Sequence, residues 1–117
     1  MHVKPKFNVF FLEEAREFID KLDSKARDKI IYNIHKAQVL NDNELFKKLK
    51  DEIWEFRTFY NKKKYRLLAF WDKLDKVKFL VISTHGFIKK TDKKPHTELD
   101  KAENIRKKYF EQKNKVK

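Results

Sequence analysis

The chain contains no cysteine, one glycine, two prolines and one methionine in 117 residues. Without thiols there can be no disulfide, no thiolate nucleophile and no cysteine-held metal, a composition that suits a reducing compartment. So little glycine and proline excludes collagen-like and linker-rich architectures. No apolar run approaches the roughly 20 residues that cross a bilayer, and Met1-His2-Val3-Lys4-Pro5-Lys6 lacks the apolar centre of a signal peptide. The cytoplasm is therefore the expected location, with no membrane partner. Acids are also scarce relative to bases, at 18 Asp and Glu against 30 Lys and Arg, which gives a formal net charge of +12.

What the chain does have is aromatic surface. Eleven Phe, four Tyr and two Trp supply enough apolar area to offset chain entropy, so the sequence predicts one folded domain over 1–117. The excess of positive charge attracts polyanions, and nucleic acid is the leading partner class. A solvated lysine-rich surface with no such partner fits the same composition.

Phe7-Asn8-Val9-Phe10-Phe11 is β-prone and passes into a helical run over 12–22, with Leu12, Ala15, Phe18, Ile19 and Leu22 at spacings of three and four. Ser24 suits the cap of a second helix over 25–40, whose apolar stripe is Ala26, Ile30, Ile34, Ala37 and Val39 or Leu40, with Tyr32 or Asn33 near the flank. Asn41-Asp42-Asn43 breaks the period, and Leu45-Phe46-Lys47-Lys48-Leu49 reads as a packed connector. Alternation then sets Trp54, Phe56 and Thr58 on one strand face against Ile53, Glu55, Arg57 and Phe59 on the other. A second strand is predicted over 65–71 and a third over 77–85, after a turn at 72–76. Short connections favour an antiparallel meander. Thr97 suits the cap of a last helix over 98–113, packing through Leu99, Ala102, Ile105 or Arg106, Tyr109 and Phe110. The predicted order is β-α-α-β-β-β-α: an α+β domain whose curved antiparallel sheet packs against two N-terminal helices, with a C-terminal helix.

Alternation places Glu55 and Arg57 side by side, roughly 6–7 Å apart and outside the core. Tyr65 and Arg66 follow one strand on, and His85-Gly86-Phe87-Ile88-Lys89-Lys90 closes the third strand ahead of Asp92, Lys93, Lys94 and His96. Gly86, the only glycine, predicts a close approach or an unusual backbone angle. Cleaving RNA without a metal needs a base for the 2′-OH, cations for the charged phosphorane and an acid for the leaving oxygen. Glu55, Arg57, Arg66, Lys89, Lys90, His85 and His96 are residues of those chemical types. They equally fit a strand-face ion pair and a solvated basic loop. His85, at the end of a buried strand, also fits a hydrogen-bonded structural residue, and His96 fits a helix start; either can titrate near neutrality. His2 and His35 have no partner at metal-ligand spacing, and no metal or other cofactor is expected. Trp54, Phe70, Trp71, Phe79 and Phe87 fit core positions, whereas Phe59 and Tyr65 are expected on the arginine face, where they could stack on nucleobases.

Taken together, Leu49-Lys50-Asp51-Glu52-Ile53-Trp54-Glu55-Phe56-Arg57, Lys64-Tyr65-Arg66-Leu67-Leu68, His85-Gly86-Phe87-Ile88-Lys89-Lys90-Thr91, Lys94-Pro95 and Glu98-Leu99-Asp100-Lys101-Ala102 resemble the phage-derived HigB-like branch of the RelE/ParE toxin superfamily. The resemblance covers roughly residues 45 to 110. It implies the toxin of a type II toxin–antitoxin pair, a ribosome-dependent mRNA endoribonuclease that leaves a cyclic phosphate and is neutralised by a small, HigA-like helix-turn-helix antitoxin. On that basis Arg57 and Arg66 hold the scissile phosphate, Glu55 is the best candidate base, and Lys89, Lys90 and Lys94 contact the RNA backbone or stabilise the transition state. Tyr65, His85 and Lys93 complete the expected RNA contacts, and His96 or His85 is the candidate acid. Some ribosome-dependent relatives carry lysines where this chain has Ile53 and Glu55, and a tyrosine near Pro95-His96-Thr97, so the resemblance does not fix the base or the acid. A ParE-like gyrase inhibitor and a non-catalytic basic RNA-binding module are the alternatives.

Overall fold

The computed structural model describes residues 4–73 and 79–115. Its elements are β1 (Asn8–Phe11), α1 (Glu13–Asp20), α2 (Ser24–Val39), β2 (Phe46–Lys50), β3 (Ile53–Tyr60), β4 (Lys63–Asp72), β5 (Leu80–Lys89) and α3 (His96–Lys115). The strands form one five-stranded sheet in the order β1-β5-β4-β3-β2. This α+β arrangement has a RelE-like order with a C-terminal helix. The sheet is mixed, however, because β1 runs parallel to β5 while the other neighbours are antiparallel. Parallel neighbours need a long connection, and here everything from α1 to β4 lies between them. The expected turn at 72–76 and the start of the third strand at 77 fall largely outside the described residues, and β5 extends four residues past His85 to Lys89.

The segment expected to be a connector is the edge strand β2, paired with β3 through Phe46↔Phe56 and Lys48↔Trp54. Phe46 and Leu49 are three apart, which reads as helical. In an extended strand the same spacing sends them to opposite faces, and each joins a different hydrophobic cluster. Phe46 stacks on Phe56 at 4.3 Å and on Trp54 at 4.8 Å.

Both faces of the sheet are covered. On one, Ala15 and Ile19 of α1 and Ala26, Ile30, Ile34 and Ala37 of α2 pack on Phe56, Leu67, Ala69 and Val81. Asp23, and not Ser24, caps α2, its carboxylate accepting from the Ala26 N–H at 2.9 Å. Asn33, also on this face, is buried and donates to the Thr58 hydroxyl at 3.1 Å. On the other face α3 covers Ile53, Leu68, Phe70 and Ile82 with Leu99 and Ala102. That helix opens at His96, with the Pro95 carbonyl accepting from the Leu99 N–H at 2.9 Å, so Thr97 lies inside the first turn and is not the cap. Its far end is held by buried Asp72, which accepts from the Tyr109 hydroxyl at 2.6 Å and pairs with Lys113. Burial and this carboxylate push the Tyr109 hydroxyl pKa well above its usual value.

Two local devices set the geometry around the arginines. The β3–β4 connection is the two-residue turn Asn61-Lys62, both with positive φ (50° and 64°), the combination that matches the twist of a hairpin. Gly86 faces α1: a Cβ there would stand 2.7 Å from Cγ of Phe18, with a second ring atom nearer still. The expected close approach is the reason for glycine, since its φ is not positive. Gly86→Ala is expected to lower stability by about 1–3 kcal/mol through overpacking. Urea unfolding should show most of that loss recovered when Phe18 is shortened to Leu in the same chain; an additive double mutant would refute the contact.

Candidate functional site

The register places three rows of side chains on the α3 side of the sheet, the first at the edge of the part that the helix covers and the other two beyond it. Glu55 lies opposite Leu68, which lies opposite His85; Arg57 lies opposite Arg66, which lies opposite Phe87; Phe59 lies opposite Lys64, which lies opposite Lys89. Two arginines directly across an antiparallel pair repel each other. Glu55 offsets this: its Oε1 lies 3.2 Å from Arg66 Nε and its Oε2 lies 3.6 Å from Arg57 Nε. One carboxylate therefore holds two guanidinium groups, leaving the cluster with a net charge of +1.

Burial within the cluster is graded. Glu55 is 3% exposed and Arg66 5%, while the Arg57 side chain retains 28%. The expectation that Glu55 stands clear of the core does not hold, because the arginine pair and the α3 side of the sheet enclose it. Burial lowers the Arg66 pKa from its usual value, with Glu55 opposing the shift, and an arginine stays charged regardless. Arg66 also donates from a terminal nitrogen to the Tyr65 carbonyl at 3.1 Å. Neither ion pair is aligned as a hydrogen bond. Among the described residues, the buried side-chain polar atoms without a hydrogen-bond partner are Glu55 Oε1, Arg57 Nε and Arg66 Nε, all in this cluster. Buried groups are normally satisfied, and such exceptions gather where a ligand is bound or strain is stored.

A cleft of about 600 Å³ opens beside the third row, lined by Lys62, Lys63 and Lys64 from the hairpin and by Ile88, Lys89, Lys90, Thr91 and Asp92 from the end of β5. Asp92 bonds Lys64 at 3.0 Å, which holds its carboxyl below the usual range; with Asp92 open to solvent, the pair is screened and weak. Lys89 and Lys90 thus meet a second basic segment. The sequence signal for it was the Asn61-Lys62 turn, which folds Lys63 and Lys64 back toward the strand ends.

Two expected contacts, Tyr65 and His85, are taken up by the fold itself. Tyr65 is 4% exposed and packs on the α1–α2 side of the sheet, opposite Thr58 and Ile88, so it cannot meet a nucleobase on the arginine face. Neighbours in a strand point to opposite faces, and Arg66 takes the other one. His85 shares the face of Glu55 but is 3% exposed with both ring nitrogens engaged, Nδ1 by the Thr84 hydroxyl at 3.0 Å and Nε2 by Glu98 at 2.9 Å. The tautomer that satisfies both carries its proton on Nε2. His85 therefore ties β5 to α3 and has no nitrogen left for RNA. His96, Lys93 and Lys94 are exposed around the start of α3, and no hydrogen bond or ion pair links them to the Glu55 cluster among the described residues.

Burial also lowers the His85 pKa below 6.5, with the Glu98 bond opposing. Between the folded value and 6.5 the unfolded chain binds a proton that the folded chain does not, so this contribution is complete above that window and is lost as pH falls through it. The urea midpoint should fall between about pH 7.5 and about pH 5, and His85→Gln should remove most of that slope. An unchanged slope in the variant would assign it to other groups.

The family model for phage derived protein Gp49-like matches residues 17–107, from α1 through most of α3. No curated protein matches the sequence significantly. The match spans the Glu55–Arg57–Arg66 cluster, the hairpin lysines and the 89–94 segment, and its toxin-like character agrees with the RelE-like order of elements. The chain belongs to the Gp49-like family of phage-derived proteins, a RelE-like, toxin-like family.

Proposed function

We propose that the protein is the toxin of a type II toxin–antitoxin pair and acts as a ribosome-dependent mRNA endoribonuclease of the HigB-like kind. The observation that carries this reading is the buried carboxylate with its two guanidinium groups, whose Nε–H donors lack aligned acceptors. Phosphate oxygens are acceptors of the right charge and geometry for arginine.

In this reading Arg57, the less buried member, binds the scissile phosphate, and Arg66 beside it fixes the position of Arg57 and supplies field. Lys89 and Lys90 neutralise charge developing on the phosphorane, while Lys93 and Lys94 hold flanking RNA. Glu55 first orients the arginines. When a guanidinium turns to phosphate, a carboxylate oxygen is freed to accept the 2′-OH proton, so no metal is required. The oxygen then attacks phosphorus, the bond to the 5′-oxygen breaks, and a 2′,3′-cyclic phosphate remains. His96 is the proposed donor to the leaving 5′-oxygen. The proposed setting is the cytoplasm, on mRNA in the ribosome, with a small helix-turn-helix antitoxin as the neutralising partner.

Primer extension on mRNA incubated with ribosomes and purified protein tests the reading. Arg57→Ala should fold normally and cut roughly 10²- to 10³-fold more slowly, the scale of losing one transition-state charge contact. Arg66→Lys should retain the charge but lose most activity, because a lysine cannot reproduce the fork. Undiminished cutting by folded Arg57→Ala would remove the proposal. Growth arrest with DNA damage and no mRNA cuts would replace it with gyrase inhibition.

A further inference from the structure

Phe59 is the exposed ring in the two rows that hold the arginines and Lys64. It is 66% exposed and belongs to neither hydrophobic cluster. Phe87, the other ring in those two rows, is half-buried, packs against the Leu68 and Phe70 core, and lies 6.3 Å from the His85 ring. Its surface is already used.

A single exposed aromatic side chain is ordinary on a protein surface, so the surroundings of Phe59 decide its meaning. Along β3 it follows Arg57 by two residues, about 7 Å at the rise of an extended strand. Across the sheet it lies opposite Lys64, which in turn lies opposite Lys89. The cleft lined by Lys62, Lys63, Lys64, Lys89 and Lys90 begins in that row. Phe59 is thus an apolar plate with an arginine on one side and a basic cleft on the other. Asp92 engages Lys64 at 3.0 Å from a position open to solvent, where a polyanion can displace it.

Resting on the RNA reading above, we infer that Phe59 and the hairpin cleft form a nucleotide subsite beside the Arg57–Arg66 pair: the ring stacks on a nucleobase of single-stranded RNA while the lysines take a neighbouring phosphate. Every nucleobase has a π face, but a duplex hides it, so a ring in this position selects single strands with little regard to base identity. An acidic peptide would satisfy the lysines without needing the ring.

The test uses an RNA hexanucleotide with 2′-O-methyl groups throughout, which cannot be cleaved, and the same backbone with abasic positions, with binding read by fluorescence anisotropy. Phe59→Ala and Phe59→Leu should each bind the base-bearing strand roughly 5- to 100-fold more weakly, the range of one lost stack. Their binding to the abasic strand should match the parent's. Phe59→Trp should bind like the parent, with its added indole fluorescence quenched. Parent-like binding of Phe59→Leu to the base-bearing strand would overturn the subsite and leave the nuclease reading intact, as would equal losses on both strands. Failure of the parent to bind either strand would overturn both readings. Phe59-dependent binding of polyglutamate in place of RNA would assign the patch to an acidic protein.

Discussion

Two guanidinium groups placed opposite each other on neighbouring strands repel, and Glu55 is what makes the arrangement tenable. Its two oxygens face Arg57 and Arg66 at 3.6 Å and 3.2 Å from a position almost closed to solvent. Charge buried in this way is a poor means of stabilising a protein, since desolvation consumes most of the attraction and an apolar filling is often as stable or more so. The cluster also leaves three buried polar atoms without a hydrogen bond. A local cost of this kind, concentrated at one place on an otherwise well-packed sheet, is what the proposed binding of an anion there would account for.

The rest of the fold keeps that place rigid and open. Leu99 and Ala102 seat α3 on the sheet, and His85–Glu98 near its start and Asp72–Tyr109 near its end hold it there. The helix therefore covers Phe70 and Leu68 and stops short of Arg57 and Phe59. The extra residue of β5 opposite the step from Leu68 to Ala69 lets Ile82 and His85, three apart, both face the helix. On the other side, the contact of Gly86 with Phe18 brings α1 against β5 below the row that holds Lys89. Two helices and a bulge thus fix where cations from three strands emerge.

Much of this was legible in the chain. Alternation from Ile53 to Phe59 gives both the strand and the shared face of Glu55 and Arg57, and the stripes of α2 and α3 contain their buried apolar residues, although Tyr32 and Leu40, also offered for α2, are exposed. The pairing of β1 with β5 was not legible, because parallel partners distant in sequence leave no local pattern. β2 was hidden by an edge strand that serves two cores, so that Phe46 and Leu49 imitate a helical spacing. Tyr65 could have been placed by alternation alone, since Arg66 next to it claims the opposite face. The burial of Glu55 could not, for it depends on Arg66 arriving from another strand and on the path of α3.

The central claim is that one carboxylate organises two arginines into a single phosphate-binding unit. Its most direct test is NMR of the arginine Nε–Hε groups during titration with uncleavable 2′-O-methyl RNA, in the parent and in Glu55→Gln. The account predicts that the Arg57 and Arg66 signals of the parent move together, with one binding constant, and that this concerted response is lost in the variant. Signals that stay still at saturating RNA, or that respond identically without the carboxylate, would contradict it.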